Sequence, residues 1–314
     1  MVEAVAEIVA EHTAGSPVDP QIRWTNRSPR EIAGELAERG YAASPPTVRR
    51  ILQEDLKLRI RQACKSLTHC HYPFRDEQFQ HIAELRDWYL MVGYPVLSID
   101  TKKKENLGDF YRPGSAYTDG FVLAPDHDFP SRAVGKLAPY GVYDVGANQG
   151  FMLLSTGPDT SELATDAVWS WWEALGQQRY GRPRRLLLLC DCGGSNGYRQ
   201  HRFKQDVKDL AIRLGTHIQV AHYPPGCSKY NPIERRMFCH VSRAMQGVIL
   251  RSLDVAQQCI ERTATATGLS VVVETACKLY QKGRKATAEF LERLPIEFDN
   301  HLPQLNYLAT PKSY

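Results

Sequence analysis

The sequence predicts an α/β fold in which a mixed five-stranded sheet is flanked by helices and is preceded by an all-α region. Short helix patterns fill the amino-terminal quarter of the chain, and apolar strand-like runs begin only after it. Helix patterns then alternate with the last of these runs, which is typical of an α/β sheet domain. We therefore expect a helical region over 1–75, a linking helix over 76–94 and a sheet domain over 95–250, followed by a helical extension and a tail over 251–314, with a strand segment at 269–274.

Two helix starts define the amino-terminal region. Ser28 is a suitable N-cap for a helix that ends near Gly40, and Ser44 is a suitable N-cap for a second helix, which carries Arg49 and Arg50. Two helices joined by a tight glycine-containing turn form the helix-turn-helix pattern, whose second helix enters the major groove of DNA. The same pattern fits an ordinary helical hairpin with a solvated basic face, and the local sequence leaves both interpretations open.

The sheet domain is predicted from short apolar runs that are bounded by turn residues. These runs cover residues 96–100, 141–145, 151–155, 186–190 and 217–222. The fourth run, LLLLC, is continuously apolar, as a strand buried on both faces requires. Helices are expected from Asp159 or Thr160 to about 181, over 197–214, and over 231–246 with Asn231 as the N-cap. Three strands followed by helix, strand, helix, strand and helix are the element order of the ribonuclease-H-like fold.

Three carboxylates stand at the ends of these elements. Asp100 ends the first strand, Asp191 follows the fourth, and Glu234 lies in the first turn of the helix after the last strand. If the two strands are parallel neighbours, the aspartates come side by side at one edge of the sheet, and the helix brings Glu234 over them. Each acid alone has a simpler interpretation, as a turn residue or as a favourable charge at a helix start. Their joint placement favours a shared chemical role.

Clustered carboxylates suit hard divalent cations. Mg²⁺ prefers oxygen ligands and keeps several waters. Two such ions about 3.5–4 Å apart can activate an attacking oxygen and stabilise a leaving one. Neighbouring carboxylates repel one another unless they are protonated or bound to cations. The three acids are therefore candidate ligands for two Mg²⁺ or Mn²⁺ ions.

Composition sets broad limits on the class of protein. The chain has 314 residues and a formal net charge of +4, which by itself does not imply a nucleic acid partner. The first residues include acids and no apolar core, so no signal peptide is expected, and no apolar stretch is long enough for a membrane span. Eight cysteines without a C-x-x-C pair predict free thiols in a reducing cytoplasm. The segment CKSLTHCH at 64–71 lacks the second half of a zinc-finger spacing.

Long sequence blocks resemble a known family. Bacterial insertion-sequence transposases of the Rhodopirellula-type DDE group are similar to this chain from about residue 21 to 307, in the blocks IRWTNRSPREIAGEL, SIDTKKKENLGDF, PYGVYDVGANQGF, WSWWEALGQQRYG, DCGGSNGYR and HYPPGCSKYNPIERRMF. The resemblance implies a ribonuclease-H-like catalytic domain behind a DNA-binding helix-turn-helix region. It also implies metal-dependent cutting and joining of transposon ends, with Asp100, Asp191 and Glu234 as the catalytic acids. Cys192 and Pro232 depart from the family pattern, in which glycine and lysine are usual.

Basic and polar residues near the acids are candidate DNA contacts. Besides the two arginines of the second helix, we expect contacts from Lys102, Lys103, Lys104, Asn196 and Lys229. The three consecutive lysines also fit a solvated turn, and the asparagine also fits a role in shaping its loop. The resemblance implies double-stranded DNA as the partner, at the terminal repeats and at the target. It further implies self-association on DNA, in a cytoplasmic and nucleoid-associated protein.

Two other functions stay open from the sequence alone. A domesticated transposase that binds DNA without cutting would carry the same blocks, although the intact acids argue against decay. A nucleotide-binding enzyme would use the glycines after Asp191 to cradle phosphate, but the chain contains neither G-x-x-x-x-G-K-[ST] nor G-x-G-x-x-G. A nuclease assay with matched end DNA separates an active transposase from the first alternative. Saturable ATP binding would support the second alternative.

Overall fold

Residues 1–15, 23–61 and 72–313 are described in this computed structural model. The chain divides into an amino-terminal unit, Met1–Thr68, and a second unit, His69–Tyr314. The cysteine- and histidine-containing segment at 64–71 lies outside the described residues.

The amino-terminal unit is a small helical core with a short strand pair. Its helices are α1 (Val2–Glu11), α2 (Pro29–Glu38) and α3 (Pro45–Arg50), and α3 continues as a π-helical turn over Ile51–Asp55. They bury a shared apolar cluster that includes Val5, Ile8, Ile32, Leu36 and Val48. The antiparallel strands β1 (Thr13–Gly15) and β2 (Arg23–Thr25) were not expected, because strands of three residues are too short to show an alternating pattern.

Both predicted helix starts in this unit are confirmed. The Ser28 hydroxyl accepts a hydrogen bond from the Glu31 amide at 3.3 Å, and the Glu31 carboxylate accepts one from the Ser28 amide at 2.7 Å. This reciprocal capping box satisfies amides that the first helical turn leaves unpaired. The Ser44 hydroxyl likewise accepts a hydrogen bond from the Thr47 amide at 3.3 Å.

A mixed sheet forms the centre of the second unit. Its strands are β3 (Val96–Thr101), β4 (Glu105–Leu107), β5 (Gly135–Asp144), β6 (Gln149–Ser155), β7 (Arg185–Cys190), β8 (His217–His222), β9 (Ser270–Thr275), β10 (Glu297–Phe298) and β11 (Asn306–Ala309). They lie in the order β10-β11-β8-β7-β3-β5-β6-β9, with β4 beside β5. β3, β7 and β8 are parallel, whereas β5 is antiparallel to both β3 and β6.

The five central strands are those that the sequence predicts, but the described sheet has nine strands rather than five. β9 extends the sheet as a parallel neighbour of β6, and β11 extends it as an antiparallel neighbour of β8. A strand at 269–274 is expected from the sequence, but its place in the sheet is not. β11 is four residues long, so its own sequence carries too little periodicity to reveal it.

Helices cover both faces of the sheet. α5 (Ser161–Trp171) and α7 (His201–Leu214) share an apolar cluster with Leu186 and Leu188 of β7. α4 (Arg75–Met91), which the sequence predicts as a linking helix, packs instead against the intervening leucines of β7. Successive side chains of a strand point to opposite faces, so β7 is buried on both sides and is apolar from Leu186 to Cys190.

Helix boundaries in the second unit follow the prediction with one exception. The Thr160 hydroxyl caps α5, which continues through a π-helical turn, Trp172–Gly176, into α6 (Gln177–Tyr180). α7 begins at His201 rather than at residue 197, because the loop before it contains a separate 3₁₀ turn, Gly194–Asn196.

The remaining helices follow the last central strand. A π-helical turn at Glu234–Phe238 leads into α8 (Cys239–Ala244), and α9 (Leu253–Glu261) and α10 (Ala288–Arg293) lie in the carboxyl-terminal segment. Among the described residues, no helix combines the length and apolar character needed to cross a membrane.

Candidate active site

Asp100 and Asp191 lie at one edge of the sheet, because the strands that lead to them are parallel neighbours. The last paired residues of β3 and β7 are Ser98 and Leu189, and each aspartate lies two residues beyond its member of that pair. The predicted adjacency of these strands is therefore confirmed. It brings together two acids that are far apart in the sequence.

The two aspartates differ in how their oxygens are satisfied. Oδ1 of Asp100 accepts a hydrogen bond from the amide of Thr101 at 2.7 Å. Oδ1 of Asp191 is buried and has no hydrogen-bond partner among the described residues. Buried oxygens of proteins nearly always accept a hydrogen bond or bind an ion. This unpartnered oxygen is therefore well suited to bind a cation.

Asn231 anchors the helical segment that carries Glu234 to the strand that carries the first aspartate. Its side chain is fully buried: its amide donates to the carbonyl of Ile99 at 3.1 Å, and its Oδ1 accepts from the Ser98 hydroxyl. The same hydroxyl accepts from the amide of Ile233 at 2.9 Å. The sequence predicts Asn231 as an N-cap, and its carbonyl does accept the Glu234 amide at 3.1 Å. Its side chain, however, bonds to β3 instead of capping the helix.

The acids interact electrostatically. Burial is the largest cause that raises the pKa of Asp100 to about 8, and the charges of Asp191, Glu234 and Asp159 contribute to this shift. Burial also raises the pKa of Asp191 to about 6, with contributions from Glu234 and Asp159. Burial raises the pKa of Glu234, and the charge of Lys102 opposes that shift. Without a compensating cation, the cluster therefore holds protons at pH values where isolated carboxyl groups have lost them.

The oxygen donors at this edge fit hard divalent cations. Within the described ranges, Asp100, Asp191 and Glu234 do not form a group whose ligand atoms all lie within 4.8 Å of one another. Two ions about 3.5–4 Å apart, with their bound waters, need ligands spread over a wider space than that. The three acids therefore offer the type of ligand that such cations prefer, without enclosing a single ion in this structure.

A tighter acidic group lies in the amino-terminal unit and is already neutralised by arginines. Ligand atoms of Glu11, His12 and Glu35 lie within 4.8 Å of one another. Arg39 pairs with Glu11 at 2.9 Å and with Glu35 at 3.0 Å, and Arg27 lies 3.1 Å from the His12 ring. This group is an ion-pair network on the surface.

A cleft of about 670 Å³ opens beside Glu234. Lys103 and Lys104 line it and are exposed. Lys102 lines it too, but it is only 7% exposed and its ammonium group pairs with Glu105 at 3.0 Å. Of the three consecutive lysines, the second and third therefore have the side chains available for an anionic ligand.

Asn196 and Lys229, the other expected DNA contacts, differ in exposure. Asn196 is only 2% exposed, and its carbonyl oxygen lies 3.0 Å from Nε2 of the buried His222. Lys229 is exposed, and its ammonium group lies 5.1 Å from the centre of the Tyr230 ring. Asn196 thus shapes the loop after β7, while Lys229 presents its charge to solvent.

Cys192 fits the loop beside Asp191 without distorting it. Its thiol donates a hydrogen bond to the carbonyl of Tyr223 at 2.9 Å. Burial is the largest cause that raises the pKa of this thiol to about 12, and the charge of Asp191 contributes to this shift. The cysteine therefore stays protonated and serves as a loop contact instead of a metal-binding thiolate.

Asp159 is a fourth carboxylate near the site, which the sequence suggests only as a possible helix start. It follows β6 and precedes the Thr160 cap, and its Oδ1 accepts hydrogen bonds from Thr101 and Ser195. No sequence motif identifies it, because its neighbours come from segments that only the fold brings together. The only sequence signal for Asp159 is its position, after a predicted strand and directly before the residue that caps a helix.

Comparison with solved structures finds distant similarity to complexes of Mos1 transposase. The paired-end complex with the left transposon end has a TM-score of 0.43 and 14% identity, over 82% of this chain and 69% of that chain. The mariner paired-end complex with Mn has a TM-score of 0.43 and 15% identity over the same shares. The strand transfer complex has a TM-score of 0.42 and 16% identity, over 82% of this chain and 68% of that chain.

Sequence comparison gives a direct assignment. No curated protein matches the chain. The family described as "Rhodopirellula transposase DDE domain" matches residues 4–311, which is nearly the whole length. The matched range includes the sequence blocks around all three acids. The protein belongs to this family of DDE transposases.

Proposed function

We propose that this protein is a DNA transposase that cuts and joins the ends of an insertion sequence, with Asp100, Asp191 and Glu234 as its catalytic, metal-binding acids. The observation that carries the proposal is the convergence of the three carboxylates, whose charges interact across one edge of the sheet. The buried, unpartnered oxygen of Asp191 supports a cation there. Family membership supports the reaction class.

The reaction is a phosphodiester hydrolysis followed by a transesterification. Water attacks a phosphodiester at the element end, breaks its bond to the 3′ oxygen, and leaves a 3′-hydroxyl group and a 5′-phosphate. The 3′-hydroxyl group then attacks a phosphodiester of target DNA and displaces a 3′-hydroxyl group of the target strand. When bound, two Mg²⁺ or Mn²⁺ ions supply activation of the attacking oxygen and stabilisation of the leaving one. The three carboxylates would hold these ions.

DNA would approach the acids through the cleft beside Glu234. Lys103 and Lys104 line that cleft with exposed ammonium groups, which suit phosphate contacts. Lys229, in the 3₁₀ turn Ser228–Tyr230 shortly before the Glu234 segment, offers another exposed charge. Lys102 and Asn196 would act on DNA indirectly, because the structure buries both side chains.

The helical amino-terminal region is proposed to bind double-stranded DNA at the terminal repeats. Arg49 and Arg50 are exposed on the helix that Ser44 caps, as a helix entering a groove of DNA requires. The region over 95–250 would then be the ribonuclease-H-like catalytic domain. Synapsis of two element ends calls for self-association of the protein on DNA.

The test is a cleavage assay on matched terminal-repeat DNA with Mg²⁺. We expect Asp100→Asn, Asp191→Asn and Glu234→Gln each to lower the cleavage rate at least about a thousandfold, which corresponds to roughly 4 kcal/mol in the barrier. Asp76→Asn is the control, because that carboxylate is 97% exposed. Full activity in any one of the three variants removes that residue from the mechanism. Tight DNA binding by the unaltered protein without any cleavage would favour the non-cutting, domesticated alternative.

A further inference from the structure

One carboxylate oxygen connects the two segments that carry the catalytic aspartates. Oδ1 of Asp159 accepts a hydrogen bond from the Thr101 hydroxyl at 3.0 Å and another from the Ser195 hydroxyl at 2.7 Å. Thr101 is the residue after Asp100 at the end of β3, and Ser195 lies in the loop that follows Asp191. Asp159 thus bridges β3 to that loop from a third part of the chain.

Helix capping does not explain the position of Asp159. α5 begins after Asp159, but its first turn is capped by the hydroxyl of Thr160, which accepts a hydrogen bond from the amide of Leu163 at 3.2 Å. Oδ2 of Asp159 accepts no hydrogen bond from any residue that the structure describes. One oxygen is therefore fixed by two hydroxyl groups, while the other is left without a protein donor.

The position of Asp159 matters for the charge of the site. Its carboxylate is close enough to Asp100 and Asp191 to contribute to the raised pKa of both. An additional negative charge beside two others opposes folding unless a cation offsets it. No Lys or Arg side chain in the described part of the chain forms a salt bridge with Asp159. A divalent cation at the neighbouring acids would supply that compensation.

We propose that Asp159 is a positioning residue of the catalytic centre, which holds the segments of Asp100 and Asp191 in register and strengthens cation binding there through its charge. The inference rests on the proposed function, since it concerns the same metal site. Asp159 would be a fourth acid at the site, which positions the metal-binding aspartates and does not itself contact the reacting atoms. Outer residues of this kind typically change metal affinity by about 10–100-fold when they are removed.

The direct test is a titration of the DNA-free protein with Mn²⁺. The electron paramagnetic resonance signal of free Mn²⁺ measures how much of the ion stays unbound. Asp159→Asn keeps the shape and an oxygen acceptor but removes the charge. We expect it to weaken Mn²⁺ binding about tenfold, with a melting temperature close to that of the unaltered protein. Asp76→Asn serves as the exposed control and should bind Mn²⁺ normally. Unchanged Mn²⁺ affinity in Asp159→Asn overturns the proposal.

The same titration keeps this inference separate from the proposed function. Asp100→Asn should abolish most Mn²⁺ binding. If Asp100→Asn loses binding while Asp159→Asn does not, only the role of Asp159 is overturned. If Asp100→Asn also binds Mn²⁺ normally, the metal site itself is wrong, and the role of Asp159 is overturned with it.

A second pair of variants covers the case in which Asp159→Asn does not fold. Thr101→Val removes the hydroxyl donor at constant shape, whereas Thr101→Ser keeps it. We expect Thr101→Val to weaken Mn²⁺ binding and to raise the Mg²⁺ concentration for half-maximal cleavage, with the rate at saturating Mg²⁺ little changed. Thr101→Ser should restore both values. Equal Mn²⁺ affinities in the two Thr101 variants would overturn the hydrogen-bonded bridge.

Discussion

Individual carboxyl groups at the sheet edge are costly to ionise in the absence of a cation. Burial is the largest cause for both Asp100 and Asp191, and repulsion between neighbouring acids adds to it. Their pKa values, about 8 and about 6, therefore lie well above the ordinary value of 3.8. Such strongly shifted acids tend to occur at functional sites, because stability alone rarely requires them.

These pKa values predict that Mg²⁺ stabilises the protein more at pH 8 than at pH 5.5. Between pH 3.8 and about 6, the folded protein holds protons on both Asp100 and Asp191 that the unfolded chain has released, and from there to about pH 8 it still holds one on Asp100. The metal-free protein therefore loses stability from these groups as pH rises through that window. A cation offsets the repulsion at high pH, whereas protons compete with it at low pH.

The measurement is the Mg²⁺-induced shift in melting temperature at the two pH values. The double variant Asp100→Asn/Asp191→Asn is the control and should show little shift at either pH. An equal shift at pH 5.5 and pH 8 in the unaltered protein would contradict the assignment of the raised pKa values to the cation site.

Elements of secondary structure are joined at the site by buried hydrogen bonds that the sequence does not reveal. The capping serines Ser28 and Ser44 act within their own helices, so their local sequence is sufficient to predict them. Asn231 has the sequence context of a cap, yet its side chain bonds to Ser98 and Ile99 of β3. That choice depends on a strand more than 130 residues away, as the separations of 133 and 132 residues show.

The Asn231 contacts predict a loss of stability on truncation. Asn231→Ala leaves the Ser98 hydroxyl and the Ile99 carbonyl without their buried partner, and such losses cost about 1–3 kcal/mol. We expect the free energy of unfolding to fall by about that amount in urea titrations, and cleavage to fall as well because Glu234 loses its anchor. Gln80→Ala, which removes an exposed bond to Glu84, should change stability by less than about 0.5 kcal/mol. A neutral Asn231→Ala variant would show that the anchor contributes nothing.

Across the whole molecule, features with a local sequence signal are predictable, and features that depend on distant partners are not. The five central strands and the three acids follow from apolar runs and from carboxylates at element ends, because both signals are local. β11 and Asp159 escape prediction, because the partners that give them meaning, β8 and the two hydroxyls, come from distant segments. The departures from expectation therefore lie where long-range pairing decides the structure.

At this scale, the proposal assigns sequence-specific DNA binding to the amino-terminal unit. The double variant Arg49→Ala/Arg50→Ala should weaken binding to terminal-repeat DNA, and the slope of log affinity against log salt should fall by about 0.9 for each lost phosphate contact. The exposed Lys282, in the second unit, provides the control variant Lys282→Ala. Unchanged affinity and salt slope in the arginine variant would favour the ordinary helical hairpin.

The most direct measurement of the central claim is a crystal structure of the protein soaked in Mn²⁺, with the ions located by anomalous scattering. The account predicts two anomalous peaks about 3.5–4 Å apart among the carboxylates of Asp100, Asp191 and Glu234. Peaks confined to another place, such as the Glu11, His12 and Glu35 group, with none at the sheet edge, would contradict it.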